Sequence, residues 1–244
     1  MRTILWFLYF WLYLLAKLPQ YFTVKRAIAQ GRKAEVADRV ERIVQSWASH
    51  LLRAASVTVE VHGAENIPDE AALFVANHQG NFDIPIVICH LGRLKPIVAK
   101  KELQKIPGIR AWMSFFDCIF MDRGNPRQSL TCLNAAQSYL SEGRSVIIFP
   151  EGTRSKGDTM NEFKAGALRC AVKAQAPVVP CVIDGSYRAM EANGNRIRPA
   201  TVRLTILPPV PTKDMEKEKT KRISEDVQVM IASHLKGNEQ WTNA

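Results

Sequence analysis

The chain has five cysteines in 244 residues, at positions 89, 118, 132, 170 and 181, and none stands in a CxxC pair. This odd, dispersed set excludes a complete disulfide framework and argues against an oxidising compartment. No Cys/His cluster has the spacing of zinc ligands, so no metal is expected. Each cysteine lies in or beside an apolar stretch, which points to buried packing and away from an acyl-carrying nucleophile. Long hydrophobic runs are also missing. The longest, residues 4–16, would reach only about 20 Å as a helix, against about 30 Å for a hydrocarbon core. An apolar fraction of 47% is too low for a multi-span membrane protein. No basic run is interleaved with aromatics, so the net charge of +10 is not read as nucleic-acid binding. An anionic membrane surface is the expected partner of that charge. There is no internal repeat and no long low-complexity linker. The length suits one α/β domain with terminal additions.

The N-terminus is what singles out the membrane. Arg2 could open a signal peptide, but the run that follows is crowded with Trp and Tyr, and no A-x-A-like cleavage site comes after it. Those two residue types prefer the membrane interface. A shallow or re-entrant anchor is expected, with a tilted single span through Phe22 as the alternative. Residues 35–54 have helical periodicity, with Val36, Val40, Ile43, Val44, Trp47 and Leu51 on one stripe. That stripe suits an interfacial helix on anionic lipid, or a helix packed on its own domain. Residues 1–54 are therefore assigned as a membrane-anchoring helical segment and 55–244 as an α/β domain.

From residue 57 the pattern alternates. Strands are expected near 57–61, 73–76, 97–99, 118–121, 146–149, 178–183 and 202–207. Helices are expected near 82–91, 128–141, 163–175 and 219–235. This predicts a mixed, mostly buried sheet flanked by helices. The last eight residues are polar and are expected to fray.

Two short blocks carry the chemistry. The first is Asn77-His78-Gln79-Gly80-Asn81-Phe82-Asp83. A histidine can act as general base, with a carboxylate fixing its tautomer and supporting the imidazolium. Five residues subtend about 140° on a helix, so His78 and Asp83 can meet only if the backbone turns at Gly80-Asn81. The second block is Phe149-Pro150-Glu151-Gly152-Thr153-Arg154-Ser155, after a strand-like run. Ligands bind at such strand ends in α/β sheets. Gly152 permits close backbone approach, Arg154 can grip a phosphate with two parallel hydrogen bonds, and Thr153 can add a hydroxyl contact. Glu151 would repel phosphate, so it is expected to bind a substrate hydroxyl or to position Arg154.

Together, these blocks resemble the glycerolipid acyltransferase family, whose hallmarks are NHxxxxD followed by FPEGTRS. The resemblance runs from about residue 57 to 211, and the chain length suits small bacterial members that acylate lysophosphatidate. It implies direct attack of an acceptor hydroxyl on a thioester, with no protein nucleophile and no bound cofactor. The implied donor is acyl-ACP or acyl-CoA, and the implied acceptor is the sn-2 hydroxyl of 1-acyl-glycerol-3-phosphate, at the cytoplasmic face of the inner membrane. Another lysophospholipid or glycerol-3-phosphate remains an alternative acceptor, and a non-catalytic membrane-binding module an alternative role. The resemblance also implies a lysine and an arginine that help bind the acceptor phosphate. Lys101 and Arg123 match them best, with Lys100 competing for the first position. Asn77 is left as a supporting residue without a derived role.

Overall fold

The computed structural model describes residues 1–235; the tail expected to fray lies outside the described residues. Three helices lead the chain: α1 (Arg2–Ala16), α2 (Leu18–Ala29) and α3 (Lys33–Ala55). Strands β1 (Val57–His62) and β2 (Leu73–Ala76) follow, then α4 (Asp83–His90), β3 (Val98–Lys100), α5 (Pro107–Phe115) and β4 (Ile119–Met121). The remainder runs α6 (Pro126–Ser141), β5 (Val146–Ile148), α7 (Arg169–Ala174), β6 (Val178–Asp184), β7 (Ala200–Ile206) and α8 (Lys217–Ala232).

Five strands form one sheet in the order β1-β7-β6-β2-β5. Only β6 and β7 are antiparallel neighbours; the other pairs are parallel. Strands β3 and β4 form a parallel pair, joined to β5 through a bridge between Ile97 and Ile147. The mixed sheet flanked by helices is as the sequence predicts. Strand β2 shows why its centre reads as an unbroken apolar run. Phe74 and Ala76 enter one hydrophobic core, Leu73 and Val75 the other. Alternate side chains leave opposite faces of a strand, and helices cover both faces here.

Element ends follow local chemistry. Asn125 caps α6 by accepting the Gln128 N–H at 3.2 Å, and Pro126 occupies the first turn. Pro107 opens α5 in the same way, a helix the sequence reading did not foresee because Pro-Gly reads as a turn. The helix expected over 163–175 contracts to Arg169–Ala174, since Gly166 turns the chain at φ +85°. Pro19 lies in the first turn of α2, where its missing N–H costs no helical bond.

The N-terminal segment is not a separate packing unit. Val36, Val40, Val44, Ala48, Leu51, Leu52 and Ala55 of α3 are buried, and most share a core with Phe74, Ile86 and Val202. Each fully buried Val or Leu contributes about 1.5–3 kcal/mol. Of the two readings of this helix, packing on its own domain is the one observed. Helix α1, by contrast, buries no residue completely. It is fastened by polar contacts: Trp6 Nε1 donates to Leu51 O at 3.0 Å, Arg2 to Ala55 O at 2.9 Å, and Tyr13 to Ser46 at 3.0 Å. Among the described residues no helix is long and apolar enough to cross a membrane, and the break at Lys17 separates residues 4–16 from Phe22.

Candidate active site

The site lies beyond the C-terminal ends of β2 and β5, which are parallel neighbours. Asn77 ends β2 with a two-way bond to Ile183 on β6: its Nδ2 donates to Ile183 O and its Oδ1 accepts Ile183 N–H, both at 2.8 Å. That is the role the sequence left open: Asn77 continues the sheet pairing by one step and lets His78 leave it. The chain then turns through Gly80-Asn81 and enters α4 at Asp83.

The turn brings the predicted pair together. His78 Nδ1 is 2.6 Å from Asp83 Oδ2. Asp83 is fully buried; its Oδ2 also accepts the Gly80 N–H at 2.9 Å, and its Oδ1 accepts the Ser186 hydroxyl. With Nδ1 bonded to the carboxylate, Nε2 is left to take a proton. The imidazole packs against Phe149, ring centroids 4.5 Å apart. Beneath it, Gln79 Oε1 accepts the N–H groups of Gly185 (2.8 Å) and Ser186 (3.2 Å).

The second block threads directly against the first. Ser155 N–H donates to His78 O at 2.8 Å, and Lys156 N–H to Gln79 O at 3.1 Å. Glu151 is placed differently from either expectation. It is buried, with Oε1 accepting the His78 N–H at 2.5 Å and Oε2 accepting both the backbone and the side-chain N–H of Asn161 at 2.8 and 2.9 Å. It neither lines the cavity nor touches Arg154; it supports the loop that carries His78. Burial raises its pKa to about 7, against the opposing pull of these N–H donors.

Gly152 sits at φ +73°, a left-handed conformation that a side chain would strain, and its carbonyl accepts a bond from Arg123. Thr153 is exposed at the rim. Arg154 lies 3.0 Å from Glu191 Oε1. Lys101 is exposed, bonded to Asp122 at 3.2 Å, and is not among the residues lining the cavity. Its competitor Lys100 does line it. The 3-10 turn at Lys101–Lys105 separates the two side chains.

His78, Arg123 and Arg154 open on a cavity of about 720 Å³ whose other walls include Phe10 and Leu14 of α1, Trp47 of α3 and Trp112 of α5. One space is thus lined by an imidazole, two guanidinium groups and a long apolar surface. Among the described residues no cluster of His, Cys, Asp or Glu could hold a metal ion. Ser186, Asn161 and Glu191, which complete the site, were not singled out from sequence. They carry no motif and lie 10 to 110 residues from their partners.

A His–Asp pair, its carboxylate fully buried, thus opens on a cavity that is both cationic and apolar. Comparison with known sequences identifies the class. Residues 58–184, more than half of the chain, match the family described as Acyltransferase, and the chain belongs to that family.

Among its relatives is the "Probable 1-acyl-sn-glycerol-3-phosphate acyltransferase" of Mycoplasma pneumoniae, 37% identical over 163 residues, which are 65% of this chain and 61% of that protein. Human 1-acyl-sn-glycerol-3-phosphate acyltransferase alpha is 31% identical over 191 residues, 76% of this chain and 66% of the human one. The chain therefore spans about three fifths to two thirds of the length of these curated relatives. A crystal structure of the 1-acyl-sn-glycerophosphate acyltransferase PlsC from Thermotoga maritima superimposes with a TM-score of 0.73 at 28% identity, covering 100% of this chain and 99% of that one.

Proposed function

We propose that the protein transfers a fatty acyl group from acyl-ACP or acyl-CoA to the sn-2 hydroxyl of 1-acyl-glycerol-3-phosphate, forming phosphatidate. The observation that carries this reading is the His78–Asp83 pair at the wall of a cavity that is cationic and apolar at once. His78 Nε2 takes the hydroxyl proton as the oxygen attacks the thioester carbonyl. The new C–O bond forms, the C–S bond breaks, and the proton passes from His78 to the leaving thiolate. Asp83 holds the imidazole in the required tautomer and stabilises the imidazolium. Arg154 and Arg123 grip the acceptor phosphate, Gly152 and Thr153 let it approach, and the apolar walls take an acyl chain. Relatives from Mycoplasma pneumoniae, Cocos nucifera and Bos taurus that carry the name 1-acyl-sn-glycerol-3-phosphate acyltransferase support the choice of acceptor.

The protein works at the cytoplasmic face of the inner membrane, attached by α1 and the start of α2. Ile4, Leu5, Leu8, Leu12 and Leu15 of α1 are exposed, and Leu18 and Phe22 of α2 continue the apolar surface. Singly exposed apolar residues are ordinary, but a contiguous set of this kind marks an interaction surface. Lys17, Lys25 and Arg26 adjoin it and suit anionic lipid. Because Phe10 and Leu14 of the same helix line the cavity, acyl chains have a short path between bilayer and site.

The test is to incubate the purified protein with a panel of lysolipids, glycerol-3-phosphate and both thioester donors, following free thiol release. Lysophosphatidate should be the best acceptor, and His78→Ala should lose the activity. Thiol release that is equally fast without a lysolipid, or that survives His78→Ala in a folded protein, removes the reading.

A further inference from the structure

Glu191 belongs to neither block, yet it touches both. Its side chain is only 2% exposed, while that of its partner Arg154 is 34% exposed. Glu191 Oε1 accepts the Asn81 N–H at 2.9 Å and the Arg154 Nη1–H at 3.0 Å. The residue lies in a short 3-10 turn, Glu191–Asn193, directly after Met190, whose side chain also lines the cavity. The first block makes room for it: a Cβ on Gly80 would come within 2.5 Å of Glu191 Oε2. Gly80 has no positive φ, so its missing side chain is explained by this close approach and not by backbone conformation. The other oxygen, Oε2, is buried with no hydrogen-bond partner among the described residues. A buried carboxylate that uses one oxygen twice and the other not at all is poorly solvated for its own sake. What it accomplishes is to fix a half-exposed arginine to the loop that carries the base.

We infer that Glu191 is the positioning residue of Arg154, holding its guanidinium by one edge so that the rest of the fork meets a phosphate monoester in the cavity. This rests on the assignment of Arg154 to the acceptor phosphate. The physical case is a contest between two effects. A carboxylate beside the guanidinium weakens its attraction for another anion. It also removes the rotamer freedom of a long side chain, and bidentate phosphate recognition depends on fork geometry. The carboxylate is buried behind the arginine and already shares its oxygen with the Asn81 N–H, which blunts its repulsion of a third group. Orientation therefore dominates. The clamp also links the phosphate grip to the turn between His78 and Asp83, so an acceptor held by Arg154 is placed relative to the base.

The test uses the full chain with 1-oleoyl-lysophosphatidate and the phosphate-free 1-oleoylglycerol as acceptors. It compares wild type, Glu191→Gln, Arg154→Ala and the double variant. Glu191→Gln keeps the shape and removes the charge that strengthens the bond. It should raise the lysophosphatidate KM about tenfold, within the range for a lost charged hydrogen bond, with a smaller change in kcat. The preference for the phosphate-bearing acceptor should fall by a similar factor. In the Arg154→Ala background the same substitution should add nothing further, because the group it positions is gone.

Equal loss on both acceptors, or effects that multiply in the double variant, would overturn the inference by showing a role in the fold. A lower lysophosphatidate KM would overturn it too, by showing that repulsion dominates. If Arg154→Ala leaves the acceptor preference intact, the phosphate assignment itself has failed. If Arg154→Ala abolishes the preference and Glu191→Gln does not change it, only the clamp has failed. Should Glu191→Gln not fold, Glu191→Asp withdraws the carboxylate by one methylene and is read by the same preference ratio.

Discussion

The backbone N–H of His78 donates to Glu151 Oε1 across 2.5 Å, so a carboxylate from the second block holds the histidine of the first. Because that carboxylate is buried, its protonation is linked to folding. Its pKa rises from an ordinary 4.5 to about 7, burial being the largest cause. A group with a raised folded value binds its proton more tightly in the folded chain. Its contribution to stability is full below 4.5 and is lost as pH rises to about 7. The Tm of wild type minus that of Glu151→Gln should therefore decline across that window and level off above it. A difference that is flat with pH would refute the linkage.

Asp83→Asn should leave the chain folded and lower kcat about 10²–10⁴-fold. An amide can present its NH2 to His78 Nδ1, which selects the tautomer with no lone pair at Nε2. Acceptor KM should change far less than kcat. Single-turnover measurement of thiol release distinguishes this from weakened binding; near-normal turnover contradicts the dyad.

Asn77→Ala should destabilise the fold by about 2–4 kcal/mol, since it leaves the Ile183 N–H and C=O without partners in a buried place. Asn77→Asp should also be costly, because a carboxylate cannot donate to Ile183 O. Urea midpoints at constant m-value provide the measurement. A loss below about 0.5 kcal/mol, typical of surface changes, would mean the pair is dispensable.

Replacing Leu5, Leu8, Leu12 and Leu15 with serine should weaken sedimentation with anionic vesicles while leaving Tm nearly unchanged, because these side chains are exposed. High salt should release little wild-type protein, since screening acts only on the electrostatic part. Complete release of wild type by salt alone would assign attachment to charge and not to the apolar face of α1.

The pairing of His78 with Asp83 was legible because both lie in one contiguous block, and the turn chemistry of Gly80-Asn81 states how they meet. Arg154 was legible as a cation at a strand end. The function of Glu151 was not, because its bonds run to His78 and Asn161, and no local pattern records a loop crossing. Ser186 and Glu191 were invisible for the same reason: their bonds run to Asp83, Asn81 and Arg154, between 37 and 110 positions away. The buried stripe of α3 was readable, but a stripe facing lipid and one facing a core have the same periodicity. The choice between Lys100 and Lys101 turns on where a three-residue strand gives way to a 3-10 turn, a boundary that sequence pattern does not resolve.

Besides the Glu151 side chain, two main-chain rungs join the blocks, His78 O with Ser155 N–H and Gln79 O with Lys156 N–H. Such a junction is indifferent to most side chains but counts residues. One amino acid inserted or removed between Phe149 and Ser155 would shift both rungs by a step and carry His78 out of line with Asp83, although every side chain of the two blocks would still be present. Loop length, which composition cannot reveal, is here as strict a requirement as the identity of the histidine.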